Sequence, residues 1–198
     1  MNVVVDDQAL EAEKLGLTTI GQVLSHLQRE NRLVVHVLID GKEPDLAGLP
    51  AIRQSNLRDH ILYIETAEPR LMATQVLGEV SQQLDEADRL RADAVDLLQA
   101  NSNTKAMEKL AGCFTTWQHA EESIRKVAQL LRVDLARIKV DNQPFTLILT
   151  NFADQFRNIR NALENRDFIS LTDTLSYETT ETTRQWKEAV EEMRKIVD

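Results

Sequence analysis

The sequence predicts an α+β chain of two parts: a small mixed α/β unit over residues 1–69 and an antiparallel four-helix bundle over residues 70–198. Three observations predict this. Short β-branched runs flank one amphipathic helix before residue 69, heptad-like apolar spacing takes over after Pro69, and two breaks rich in Asn and Asp cut that spacing into helix-length pieces. A length of 198 residues suits one large domain or two small ones, and 42% hydrophobic with 28% charged residues is ordinary for a folded globular chain.

In the first unit, Asn2 to Val5 reads as a strand, Asp6-Asp7 as a turn, and Ala9 to Leu15 as a returning strand. Thr19 followed three residues later by Gln22 is a capping box, and Ile20, Val23, Leu24 and Leu27 recur at helical spacing up to Asn31. Arg32 to Ile39 is a strand that stops at Asp40-Gly41, a strong hairpin signal, and His60 to Thr66 is a further strand. The order is β, β, α, β, an irregular stretch, then β.

That order, carried by MNVVVDDQ, TTIGQVLSHL, VVHVLIDGKEP and RDHILYIET, resembles the ubiquitin-like β-grasp fold, and within it the small sulfur carriers of thiamine and molybdopterin synthesis. The resemblance covers about a third of the chain and rests on pattern. Such carriers act through a flexible Gly-Gly C-terminus activated at its carboxylate. The corresponding position here reads Thr66-Ala67-Glu68-Pro69 and continues into a helix, so the resemblance implies a binding surface without the carrier chemistry.

Strand alternation sets Leu33, Val35, Val37 and Ile39 on one face of the third strand and Val34, His36 and Leu38 on the other. Ile61 with Tyr63, against Leu62 with Ile64, repeats the pattern on the closing strand. With one face packed on the helix, the opposite apolar face needs a cover, so Val34, His36 and Leu38 are the expected partner surface. The cover is either the helical unit or another subunit. His36 reads more readily as a satisfied structural histidine than as a ligand.

After Pro69 the apolar seams define four helices. The first, about 70–100, carries Leu77, Val80, Leu84, Ala87, Ala94 and Leu98; the second, about 104–131, carries Met107, Leu110, Phe114, Trp117, Ile124, Ala128 and Leu131. Val133 to Gln143 is a wide connection whose Leu135, Ile138 and Val140 plug one end. Pro144 suits the first turn of the third helix, with seam Phe145, Leu149, Phe152, Phe156, Ile159 and Leu163. Asp167 or Ser170 caps the fourth, with Phe168, Leu171, Leu175, Trp186, Ala189, Met193 and Ile196. Short turns make each successive pair an antiparallel hairpin.

Arg91, Glu121 and Glu178 interrupt these seams, and a charge there must be paired, shifted or reaching solvent. If the three meet, they form either a register-setting ion cluster or the polar floor of a pocket flanked by Trp117 and Trp186. The segment SYETTETT, Ser176 to Thr183, is polar for a packed helix and reads as frayed, exposed or partner-facing.

A net charge of −9 leaves neither part basic, which argues against nucleic acid and anionic membranes as partners. No apolar run approaches the ~18 residues of a membrane span, and the acidic start is unlike a signal peptide, so the expected location is cytoplasmic. The one cysteine, Cys113, lies in an apolar helical pattern and reads as a buried thiol. None of the four histidines has Glu three residues before it, and His119 with Glu122 is the reverse order. Phosphate-loop, dinucleotide and nucleophile-elbow motifs are missing, the glycines being scattered singly. The expectation is a non-enzymatic interaction or adaptor protein that needs no cofactor and binds a protein partner or a second copy of itself. A small-molecule sensor with its pocket between Trp117 and Trp186 is the alternative, and a secretion or motility chaperone a thinner one by analogy.

Overall fold

The first and last strands of the N-terminal unit lie side by side and parallel, although almost the whole unit separates them in sequence. A computed structural model describes residues 3–45 and 48–197. Asn2 of the expected first strand and Asp198 at the end of the expected fourth helix lie outside these described residues. The chain divides into Met1–Met72 and Ala73–Asp198, the first holding a four-stranded mixed sheet and the second mostly helical.

Strands β1 (Val3–Val5) and β2 (Gln8–Ala9) form a hairpin. Asp6 at φ 46° and Asp7 at φ 63° make its two-residue turn, a conformation that short polar side chains tolerate. The expected strand from Ala9 to Leu15 ends at Ala9. Beyond Leu10 the backbone turns, with Lys14 N–H donating to Glu11 C=O at 3.0 Å and Leu17 N–H to Ala12 C=O at 2.9 Å. Coiling lets Leu10, Ala12 and Leu17 reach one core, which a straight strand would not.

Helix α1 (Ile20–Arg29) starts at the capping box: Thr19 Oγ1 accepts from Gln22 N–H at 3.3 Å, and Gln22 Oε1 accepts from Thr19 N–H at 3.2 Å. Its Ile20, Val23 and Leu27 pack on Val3, Val5, Leu62 and Ile64 from β1 and β4 (Leu62–Ala67). Strand β3 (Leu33–Ile39) pairs antiparallel with β4, giving the order β2-β1-β4-β3. Asp40 and Gly41 make a tight turn after β3, but the returning chain pairs only once, at Lys42, so β3 is an edge strand. The irregular stretch holds a short helix, α2 (Leu49–Gln54). At Gly21 of α1, a β-carbon would sit 2.7 Å from the Arg53 carbonyl oxygen of α2, so the two helices meet there only because the side chain is a hydrogen.

Asp6 ties the sheet together from the hairpin turn. Its carboxylate accepts from Thr66 N–H at 2.7 Å, from Thr66 Oγ1 at 2.7 Å and from Arg32. The Thr66 hydroxyl and amide, with Arg32, hold this carboxyl below the usual aspartate range despite the opposing effect of burial.

Helix α3 (Pro69–Gln99) is followed by α4 (Asn103–Leu131) and α5 (Phe145–Glu164). The wide connection contains a small hairpin, β5 (Lys139–Val140) and β6 (Gln143–Pro144), turning at Asp141 and Asn142, both with positive φ. It buries Ile138 and Val140 against the helical core, as Leu135 does in part. Pro144 stands one residue before α5 rather than in its first turn, since its ψ of 139° is still extended. The last helix is split into α6 (Phe168–Asp173), a π-helical turn at Thr174–Glu178, and α7 (Thr179–Val197).

One core cluster draws on four of these helices: Leu77, Val80 and Leu84 of α3, Trp117 and Ile124 of α4, Phe145 and Phe152 of α5, and Trp186 and Met193 of α7. A second joins Leu98 of α3, Leu110 of α4, Ile159 of α5 and Leu171 of α6, with Leu175 of the π-turn. Ile196, expected on the seam, is 49% exposed. Val197 takes that place, completing the Trp186, Val190, Met193, Val197 spacing.

SYETTETT is helical and packs with one face: Tyr177, Glu178, Thr180 and Glu181 are exposed, as the sequence reading allows, while its threonines on the other side go into the core. Thr179, Thr182 and Thr183 are buried, and their hydroxyls donate to carbonyls one turn back: Thr179 to Leu175 at 2.7 Å, Thr182 to Glu178 at 3.1 Å, Thr183 to Thr179 at 2.8 Å. Bonded in this way, threonine buries its methyl group without an orphaned hydroxyl.

Gly21→Ala gains helix propensity but drives a methyl into backbone, so urea unfolding of this unit should show a net loss of about 1–3 kcal/mol. Because Asp6 titrates below its unfolded value, its stabilisation is complete above the unfolded pKa and disappears as pH falls through the folded one. Asp6→Asn should therefore lower the melting temperature at pH 7 and have a much smaller effect at pH about 3, measured by circular dichroism.

Candidate functional site

A β-bulge decides which residues the outer face of the sheet displays. Register runs Leu33↔Ala67 and Val34↔Thr66, then shifts by one, resuming at His36↔Glu65, Leu38↔Tyr63 and Ile39↔Leu62. The extra residue is Val35, 47% exposed. Val34, expected beside His36 and Leu38, instead packs toward the core with Val37 and Ile39. The bulge has moved it to the other face, because strict alternation fails where two residues oppose one.

What remains outward is a compact mixed set. Parallel pairing puts Val4 beside Tyr63, and antiparallel pairing puts Leu38 on its other side, so Val4, Tyr63 and Leu38 form a row across three strands. All three are half-buried, and Val35 and Ile61 are exposed, Ile61 at 63%. Carboxylates frame the row. Tyr63 Oη donates to Asp7 Oδ1 at 3.0 Å, and this bond, with partial burial and the nearby Asp7 and Glu65 charges, raises the phenol above its ordinary pKa. His36 lies between two of them, with Nε2 3.1 Å from Glu43 Oε1 and Nδ1 3.9 Å from Glu65 Oε2. It is therefore paired with carboxylates at the surface. His60 Nδ1 is 2.8 Å from Asp40 Oδ2, and that contact with the Ile61 N–H holds the Asp40 carboxyl below its usual range.

In the helical unit, the three seam-breaking charges do not come together. Glu121 pairs along its own helix with Arg125 at 2.7 Å, and Glu178 is exposed. Arg91, 12% exposed at its side chain, donates from Nη1 to the Leu175 carbonyl at 3.0 Å and contacts Asp88 at 3.4 Å. The Leu175 carbonyl also receives Thr179 Oγ1, so both bonds converge on the π-turn, where the regular helical ladder is interrupted. Lys187 of α7 adds bonds of 2.8 Å to Asp85 and Asp88. Burial lowers the Lys187 pKa, but these two carboxylates override it and leave the ammonium above the ordinary lysine value.

Trp117 and Trp186 are both buried, and Phe152 stands between them, edge-on to each at 4.8 and 4.9 Å. Phe145 closes on Trp186 and Phe156 on Trp117. The Phe152 ring stands where the sequence reading expects a pocket between the tryptophans. Cys113 is fully buried with Sγ 3.2 Å from the Ala87 carbonyl, and burial pushes its thiol up to about 12, which suppresses the thiolate that nucleophilic chemistry needs.

The outer row is only partly readable from the sequence. His36 and Leu38 follow from alternation, whereas Val4 and Tyr63 join them through strand pairing, which sequence spacing does not encode. Arg91→Met should destabilise the helical unit by about 1–3 kcal/mol in denaturant titration, because Asp88 loses a partner and the Leu175 carbonyl loses a donor in a buried setting.

Among the described residues no helix is long and apolar enough to cross a membrane, and no group of three or more His, Cys, Asp or Glu side chains is placed to hold a metal ion. No curated protein and no solved structure matches the chain. Residues 63–189, a span that starts within β4, ends within α7 and takes in more than half of the sequence, match the family described as Domain of unknown function (DUF8042), and the chain belongs to that family.

Proposed function

We propose that this is a non-enzymatic interaction or adaptor protein, built from a β-grasp unit and an antiparallel four-helix bundle, which binds a basic segment of a protein partner on the outer face of its sheet. The carrying observation is the row Val4, Tyr63 and Leu38, extended by exposed Val35 and Ile61 and framed by Asp7, Glu43 and Glu65. An apolar centre inside a charged rim is the usual anatomy of a reversible interface. The rim's sign favours a basic partner and speeds its approach.

The strand order supports the β-grasp reading, since β1 and β4 are central and parallel, with one helix against a single face. A core cluster shared by α3, α4, α5 and α7 supports the bundle reading. Where a sulfur carrier would end in a free carboxylate, this chain enters α3 at Pro69, so the reading takes the fold's surface and leaves out its transfer chemistry.

Binding on this face makes a direct prediction. A partner retained from host extract by the full chain should be weakened about tenfold or more by Leu38→Ser or Tyr63→Ser, and by raising salt, with unchanged circular dichroism. Retention of the same partner by both variants at wild-type strength would refute it. Light scattering of the pure protein tests the homo-oligomeric form, in which the partner is a second copy.

A further inference from the structure

We propose that the N-terminal unit also binds an oxyanion, a phosphoryl or carboxylate group carried on a small molecule, in the cleft between α1 and α2. This site is separate from the outer sheet face and does not depend on the reading given above for that face.

The cleft has a volume of ≈ 550 Å³, within the range of small-molecule sites and larger than a bare ion needs. One wall is a polar stripe of α1: Gln22, Ser25, His26 and Arg29 recur at i, i+3, i+4 and i+7, while Val23 and Leu27 are fully buried against the sheet. The rest of the lining is Leu15, Gly16, Leu17 and Thr19 of the segment before α1, Gly21 itself, and Arg53 of α2. Gly21 permits the approach of α2, since a β-carbon there would meet the Arg53 carbonyl oxygen at 2.7 Å. Arg29, Arg53, His26 and Ser25 thus belong to the lining of one concavity, the two arginines at its exposed rim.

Two of the three basic side chains of this unit that carry no ion pair among the described residues lie in this cleft, the third being exposed Lys42. Residues 1–69 carry eleven acidic side chains against six basic ones, and Lys14, Arg32 and Arg58 each meet a carboxylate. Among the described residues, neither Arg29 nor Arg53 has a carboxylate within 4.0 Å or any hydrogen-bonded acceptor. His26 alone touches one, Glu30, at 3.3 Å. Two arginines without a carboxylate partner, both exposed, thus stand in the lining of one cleft of an otherwise acidic unit. Guanidinium remains charged at all relevant pH and matches the planar or trigonal oxygens of carboxylate and phosphoryl groups in paired bonds.

A competing role exists for each arginine, since Arg29 and Arg53 lie in the last turns of their helices, where a cation offsets the helix dipole. A dipole role changes stability without creating anion selectivity, so the test reads selectivity. The full chain, isotopically labelled, is titrated with inorganic phosphate, pyrophosphate and citrate at constant ionic strength, against chloride, while amide resonances are followed. Saturable shifts at Gly21, Ser25 and Arg53, with half-saturation at about 1 mM or below for at least one of the three anions, support the site. A preference for pyrophosphate assigns phosphoryl recognition, and a preference for citrate assigns carboxylate recognition. Arg29→Gln with Arg53→Gln should weaken the titration about tenfold or more, while Arg29→Lys with Arg53→Lys, which keeps the charge and loses the fork, should fall between. Shifts that chloride reproduces, shifts that fail to saturate, or a glutamine double variant that is folded and titrates like wild type would overturn the proposal. The chloride comparison uses the unaltered chain, so a variant that fails to fold does not remove the test.

Discussion

The parallel contact between β1 and β4 is the constraint on which the N-terminal unit depends. Val3 pairs with Leu62 and Val5 with Ile64, closing a loop of roughly sixty residues whose entropy must be offset before the contact yields anything. Two devices offset it. The inward side chains of both strands share a core with Ile20, Val23 and Leu27, and Asp6 reaches from the β1 turn to Thr66 and Arg32. With those strands locked, the outer row and the α1–α2 cleft are both consequences: one is the face that α1 does not cover, the other lies where α2 meets α1.

The helical unit obeys a different rule. Its centre is aromatic, and ring edges meeting ring faces fill the space between Trp117, Phe152 and Trp186 with little freedom to shift. Some of its polar groups sit where backbone bonds are left over. The π-turn at Thr174–Glu178 is such a place, and Arg91 and Thr179 both donate to the Leu175 carbonyl there. That explains how an arginine can occupy a seam position without a carboxylate from a facing helix: its main partner is a carbonyl.

Features set by local spacing were legible in the sequence. Thr19 with Gln22 announced the start of α1, and the seams of α3 to α5 announced their buried faces, because capping and the 3.6-residue period act over a few neighbours. What escaped depends on pairing or on one-residue offsets. In VVHVLI every residue suits a strand on either face, so nothing local marks Val35 as the bulge or sends Val34 inward. SYETTETT looked solvent-facing because residue polarity hides the bond that a threonine hydroxyl makes to its own helix. Arg29 and Arg53 are far apart in sequence, and the packing of α2 on α1, close at Gly21, brings both into the lining of one cleft.

The bulge at Val35 has a consequence for how copies of this protein coexist in a crowded solution. A flat, long edge strand is a template onto which another chain can zip, and in a sheet so rich in valine and isoleucine that would seed fibrous association. Here β2 is two residues long, and β3 breaks its own regular spacing at the bulge before ending against Lys42. Incoming backbone would find its donors and acceptors out of step after a few residues. The sheet is thus resistant at its rims, so its apolar outer face can stay in solution without its edges recruiting further strands.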